Sequence, residues 1–165
     1  IKCSLVGSEM CIRDSMKGYW NRPDATKDAI QDQWFYSGDA GYFDEEGYLF
    51  IHDRVKDMIV SGGENIYPAE VENALMSNPD IIDAAVIGVP DEKWGESVKG
   101  FVVLKEGVEL SSDEIISYVK SQIAGYKCPR SIDFIELLPR NPSGKVLRRE
   151  LRAPFWEGKE RNVGG

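Results

Sequence analysis

Histidine is nearly missing from this 165-residue chain: His52 stands alone. A multi-histidine metal site is thereby excluded. A Cys/His or Ser/His nucleophile would have to be built on His52, around which no supporting pattern occurs. The G-x-S-x-G elbow of serine hydrolases is also absent. Cysteine is scarce, with Cys3, Cys11 and Cys128 forming an odd, scattered set without a C-x-x-C pair. That argues against a disulfide framework and a zinc site, and suggests a reducing, cytoplasmic setting. No apolar run approaches the ~20 residues that span a bilayer. Residues 1–15 lack the continuous apolar core of a secretory signal. Basic residues are in the minority, 20 against 28 acidic, and the net charge of −8 speaks against nonspecific nucleic-acid binding.

What is present fits one soluble domain, or one domain and part of a neighbour, with 42% apolar and 29% charged residues. The chain starts at Ile1, so its true start is expected to lie upstream. Residues 1–15 show no clean periodicity and are expected to be a foreign leader outside the fold. Charge is uneven: residues 126–161 carry nine Lys/Arg against five Asp/Glu. This segment is either a solvated basic face or a surface for polyanionic small molecules.

Local patterns predict the elements. Asp39 to His52 reads as a β-hairpin, with aromatic and β-branched arms around Asp44-Glu45-Glu46-Gly47. Asp57 to Val60 reads as a short strand ending at Gly62-Gly63. Pro68 opens a helix at its favoured first position, Val71, Ala74 and Leu75 recur at helical spacing, and Asn78-Pro79 stops it. Ala84–Val89 and, but for Lys99, Val98–Leu104 are apolar runs, read as buried strands. Ser111 with Glu114 forms a capping box, Ile115, Val119 and Ile123 follow on one helix face, and Gly125 is the expected terminator. Ile132–Leu137 is a last strand, and a short helical run follows residue 145. The order β-α-β-β-α-β over 57–137 predicts an α+β fold of sheet and helices.

Four places could carry chemistry. Asp39 sits at a Gly-Asp turn, where a carboxylate can accept two hydrogen bonds from a vicinal diol or simply form the turn. Arg54 presents a planar fork suited to hydroxyls or phosphate oxygens, or to a surface pair with Asp53 or Asp57. Ser61-Gly62-Gly63 allows close backbone approach to a ligand, or is a plain β-turn. Lys145 lies on the Pro/Gly-rich stretch Pro139-Arg140-Asn141-Pro142-Ser143-Gly144. A flexible ammonium there could bridge a carboxylate and phosphate oxygens; the alternative is a solvated loop lysine. It is not a Walker A lysine, since Pro139 stands where Gly is needed and Val146 where Ser/Thr is needed. The acidic loop Asp91-Glu92-Lys93-Trp94-Gly95-Glu96 reads as structural.

Tyr36-Ser37-Gly38-Asp39, Asp53-Arg54-Val55-Lys56-Asp57, Ser61 through Glu72 and Pro142 through Leu147, in that order, resemble the C-terminal portion of adenylate-forming (AMP-binding) acyl-CoA synthetases of the fatty-acyl-CoA ligase type. The resemblance runs from about Met16 to the end. It implies a small α+β C-terminal domain, a β-hairpin plus a short mixed sheet flanked by helices, over residues 56–165. Residues 16–55 would be the last strands of a large N-terminal domain. It further implies that Asp39 and Arg54 bind the ATP/AMP ribose, and that Lys56 is the hinge. Ser61, Gly62 and Gly63 would meet the CoA pantetheine, and Lys145 would be the catalytic lysine of acyl-AMP formation. No metal ligand is expected in this stretch, because Mg2+ belongs with the phosphate loop and acyl pocket of the large domain. The implied partners are ATP, CoA, a small carboxylic acid (a medium- or long-chain fatty acid) and the large domain, with no nucleic acid; membrane association stays open. The implied whole is an acid–thiol ligase, and this stretch alone is expected to be inactive. Two other classes stay open: an adenylation domain that loads a carrier protein, and a non-catalytic module of the same fold.

Overall fold

The computed structural model describes residues 16–32 and 34–159, and the backbone of 6–11. The chain divides into two compact units, Ile1–Lys56 and Asp57–Gly165.

The first unit is an antiparallel sheet around β3 (Trp34–Phe43), to which β1 (Val6–Cys11), β2 (Ile30–Gln31) and β4 (Leu49–Arg54) all pair. Part of the segment 1–15, expected to stand outside the fold, thus takes a place in the sheet as β1, while residues 1–5 and 12–15 lie outside the described residues. The β3–β4 hairpin closes as the turn chemistry predicts. Asp44 Oδ1 accepts the N–H of Glu46 (3.0 Å) and of Tyr48 (2.8 Å), an Asx arrangement that stands in for a backbone turn. A helix the sequence reading did not propose, α1 (Pro23–Ala29), precedes β2 and has Pro23 in its first turn. Among the described residues of this unit only Ala40 and Gly41 are buried, and Phe43, Leu49, Phe50 and Ile51 are exposed.

The second unit has a real core. Its five strands are β5 (Ile59–Ser61), β6 (Glu64–Ile66), β7 (Ile81–Asp91), β8 (Gly95–Leu104) and β9 (Ser131–Phe134). The order is β6-β5-β8-β7, with β9 running parallel to β8 and every other pair antiparallel. Helices α2 (Pro68–Met76) and α3 (Ser112–Lys120) cover one face, and α4 (Arg148–Trp156) covers the other.

Strand periodicity explains how both faces are filled. Ala84, Val86, Val98 and Val102 join Val71, Leu75, Ile115 and Val119 in the core under α2 and α3. The alternate residues Ala85, Ile87 and Phe101 pack with Leu138, Leu151 and Phe155 on the α4 side. A sheet buried on both faces needs apolar residues at nearly every position, which is why the middle of β7 (Ala84–Val89) and the end of β8 (Val98–Leu104) read as apolar runs, the second broken by the buried Lys99. Gly100 is required on the first face, since a Cβ there would lie 2.7 Å from Ile132 Cδ1.

The α+β architecture agrees with the expectation, with local differences. β6 was not foreseen. Helix α3 starts at the predicted Ser111 capping box, with both reciprocal hydrogen bonds present, yet ends at Lys120 rather than at Gly125. Ser121 caps it in helical conformation, and Gly125 opens a separate 3-10 turn, Gly125–Lys127.

Candidate functional site

In the first unit, Asp39 and Arg54 are direct cross-strand partners on β3 and β4. Arg54 Nε lies 2.8 Å from Asp39 Oδ1, with the guanidinium half exposed and the carboxylate about a quarter exposed. The Arg54 side chain takes neither of the acidic neighbours in sequence as its ion-pair partner: it pairs with Asp39, and Asp53 accepts the Arg54 backbone N–H at 2.7 Å. The pair presents one acceptor group and spare guanidinium donors side by side, a surface able to read a diol. A register irregularity between Ala40 and Gly41 aligns them. Gly41 allows the strands to close there, since a Cβ would lie 2.5 Å from the Phe50 carbonyl oxygen. Lys56 is the last residue of this unit, inside the 3-10 turn Val55–Asp57.

In the second unit, Ser61-Gly62-Gly63-Glu64 is the β5–β6 hairpin connection, with Ser61 opposite Glu64. Both glycines have positive φ (62° and 88°), as a two-residue type I′ turn demands. The two glycines differ otherwise. A Cβ on Gly63 would meet open space, whereas one on Gly62 would lie 2.7 Å from Trp94 Cε3. Gly62 N–H also donates to the Trp94 carbonyl at 2.9 Å.

Trp94 is a feature that sequence reading passed over as structural. Lys93 Nζ stands 4.7 Å and the Arg130 guanidinium 5.2 Å from its ring centroid. Asp91 Oδ1 accepts the N–H of Trp94 and of Lys93, both at 2.9 Å. The bond from Trp94 is the main cause holding the Asp91 carboxyl below its usual range; burial works against it, and the Lys93 bond and the Arg130 charge assist. The result is an aromatic face flanked by two cations beside a glycine turn. The only hint in the sequence was a tryptophan in an otherwise charged loop.

The Lys145 loop lies between the buried anchor Leu138 and the start of α4. It is closed by an Arg140–Val146 bridge and by Asn141 N–H to the Lys145 carbonyl at 2.9 Å. Asn141 Oδ1 accepts the N–H of Ser143 (3.1 Å), the Ser143 hydroxyl (2.8 Å) and the N–H of Lys145 (2.8 Å). Gly144 takes φ +82° in open space and donates its N–H to the Asn141 carbonyl. Arg140 reaches across to the Gly144 carbonyl and, at 2.6 Å, to Asp83 on β7. The backbone of the loop is therefore fixed from inside. The Lys145 side chain is exposed and makes no ion pair among the described residues. A held backbone with a free ammonium is an arrangement suited to receiving an anion.

Elsewhere in the unit, burial disfavours the charge on Lys127, but its hydrogen bonds to Glu70 (2.6 and 2.7 Å) and the attraction of that carboxylate raise its pKa above the ordinary lysine value. Burial pushes the Cys128 thiol up, which makes it a poor nucleophile. Among the described residues no group of three or more His, Cys, Asp or Glu is placed to hold a metal ion.

Residues 70–145 match the family described as the AMP-binding enzyme C-terminal domain. A fatty acid–[acyl-carrier-protein] ligase, ScoC, of Streptomyces coeruleorubidus is 48% identical over 157 residues, covering 94% of this chain and 30% of that protein. A long-chain-fatty-acid–CoA ligase of Mycobacterium tuberculosis is 50% identical over 140 residues, covering 85% of this chain and 28% of that protein. A solved o-succinylbenzoate CoA synthetase of Bacillus subtilis, in complex with its acyl-adenylate intermediate, superposes with a TM-score of 0.77 at 42% identity, covering 91% of this chain and 29% of that one. The chain thus belongs to the adenylate-forming, AMP-binding enzymes of the acyl-CoA synthetase type, as their C-terminal part. It spans less than a third of the length of the curated relatives it matches.

Proposed function

We propose that the full-length protein containing these residues is an AMP-forming carboxylic acid:CoA ligase, acting on a medium- or long-chain fatty acid. The observation that carries the proposal is the Lys145 loop, a backbone braced by Asn141 and Arg140 that leaves one exposed ammonium without an ion-pair partner among the described residues. When a carboxylate attacks the α-phosphate of ATP, negative charge builds on several oxygens at once. A donor already in position stabilises that charge without reorganising, and removing such a donor typically costs on the order of 10²–10³ in rate. In this reading the Asp39–Arg54 pair binds the ribose hydroxyls.

The second half-reaction uses the other loop. Rotation of unit 2 about Lys56 withdraws Lys145 and presents the Ser61–Gly63 turn to the acyl-AMP held by the large domain. The turn offers backbone rather than side chains, which suits a thin pantetheine arm. Trp94, flanked by Lys93 and Arg130, offers a stacking surface and cations for the nucleotide end of CoA. Mg2+ would accompany ATP on the large domain; among the described residues here no carboxylate cluster is placed to hold it. The setting is cytoplasmic and the isolated 165-residue chain is inactive.

Lys145→Ala in the full-length protein tests this. Pyrophosphate release on acyl-AMP formation should fall on the order of 10²–10³-fold, while thioester formation from supplied acyl-AMP should be largely spared. Equal loss in both halves contradicts the role, and a full-length protein that binds no ATP would favour a non-catalytic module. One further acceptor is supported by a specific finding, since the ScoC relative is by name a ligase to acyl carrier protein. Supplying acyl-AMP with either CoA or a phosphopantetheinylated carrier decides between them.

A further inference from the structure

A cluster of charges at the start of α4 stands outside the machinery proposed above. Arg148 is the first residue of α4, three residues beyond Lys145. A cation at a helix N-terminus opposes the helix dipole, so something must hold it there. Glu72 of α2 does so bidentately: Arg148 Nη2 lies 2.9 and 2.7 Å from the two carboxylate oxygens, and Nε lies 3.2 Å from Oε1. Glu72 Oε1 also accepts the N–H of Val86 on β7 at 2.8 Å, which fixes the carboxylate to the sheet. One turn further along α4, Arg152 Nη1 lies 3.0 Å from Asp57 Oδ1, and Arg148 Nη1 approaches Asp57 Oδ2 at 3.7 Å. Asp57 is buried, at 8% exposure. Arg152 Nη1 is buried without a hydrogen-bond partner, so attraction to Asp57 is what holds that charge.

Asp57 is the first residue of unit 2 and follows the proposed hinge Lys56 directly. The cluster therefore joins the residue that leaves the hinge to the helix that follows the Lys145 loop. The opposite foot of the loop is separately tied by Arg140 to Asp83. We propose that Arg148 with Glu72, and Arg152 with Asp57, are positioning residues: they make the hinge exit and the root of the lysine loop one rigid piece, so that rotation about Lys56 is delivered undiminished at the Lys145 ammonium. The inference rests on Lys145 being the adenylation lysine. It predicts that loosening the cluster hurts the step that needs Lys145 in place and spares the step that needs it gone.

Glu72→Gln is the test, because the amide oxygen can still accept the Val86 N–H while the charge is lost. In the full-length protein acyl-AMP formation should fall about 10- to 100-fold in kcat, the cost of a misplacement near 1 Å, with the KM for ATP little changed. Thioester synthesis from supplied acyl-AMP should stay within about twofold. Asp57→Asn should show the same split. Equal loss in both halves, or no loss in either, overturns the proposal. Should Glu72→Gln not accumulate as folded protein, Arg148→Lys, which keeps the charge without the fork, decides on the same readouts. Lys145→Ala run alongside separates the two claims: if it leaves acyl-AMP formation intact the proposed function fails, and if it alone blocks that step only the positioning role fails.

Discussion

Two loops of unit 2 are built on opposite plans. The Lys145 loop spends its side chains on itself: Asn141 and Arg140 satisfy the loop backbone, and one long cation is left to point outward. The Ser61–Gly63 turn offers almost no side chain, and what matters is how near its backbone can come to Trp94 and to whatever passes over it. The first is an electrostatic device and tolerates extra atoms around it, for Gly144 faces open space. The second is a steric device, and a single methyl group at Gly62 is already too large. A domain that must serve two chemical steps in turn can do so by carrying one of each.

The largest expected effect on this contrast is at Lys145. Lys145→Ala removes the loop cation that has no ion-pair partner among the described residues, and acyl-AMP formation should drop on the order of 10²–10³-fold in a pyrophosphate-release assay. Next come the two glycines of the turn. Gly62→Ala faces both a positive φ and the indole, so it should lower stability by about 2–3 kcal/mol in denaturant unfolding and slow thioester formation. Gly63→Ala faces only the positive φ and should cost about 1 kcal/mol; equal losses at both positions would erase the steric reading of the turn. Gly144→Ala, also at positive φ in open space, should likewise cost about 1 kcal/mol.

Smaller still is the Asp39–Arg54 pair. It is partly exposed, so Asp39→Asn should change stability by less than about 1 kcal/mol, while raising the KM for ATP if the pair reads the ribose. The smallest effect is at Glu114, whose hydrogen bonds from Ser111 hold its carboxyl below its usual value. A lowered folded pKa contributes stability above the ordinary glutamate range near ~4.3 and loses it as pH falls through the folded value. Glu114→Gln should therefore flatten the acid limb of the unfolding midpoint, and leave the neutral-pH activities of both loops alone.

How much of this could be read from the sequence depended on whether the determinant was local. Ala84–Val89 and Val98–Leu104 were legible because a strand covered on both faces leaves no polar alternation to confuse the pattern. The Ser111 cap was legible because both of its hydrogen bonds lie within one turn of helix. Strand β6 was not, since Glu64-Asn65-Ile66 has too few residues to show a period and is held by its hairpin partner. The end of α3 was misplaced because Gly125 marks the next turn, while Ser121 ends the helix without a glycine. At the candidate site, Lys145 announced itself through its Pro/Gly-rich loop. The Asp39–Arg54 pair needed the β3–β4 register, and Trp94 beneath Gly62 needed the meeting of β5 with β8 at Ser61 and Gly95. Those are long-range facts that no spacing rule carries.

The central claim, that the two loops serve different half-reactions, is tested most directly by crossing them. Lys145→Ala and Gly62→Ala in the full-length protein are each assayed for acyl-AMP formation and for CoA transfer from supplied acyl-AMP. The account predicts opposite signatures, the lysine variant failing in the first assay and the glycine variant in the second. Loss of the same half-reaction in both variants would contradict it.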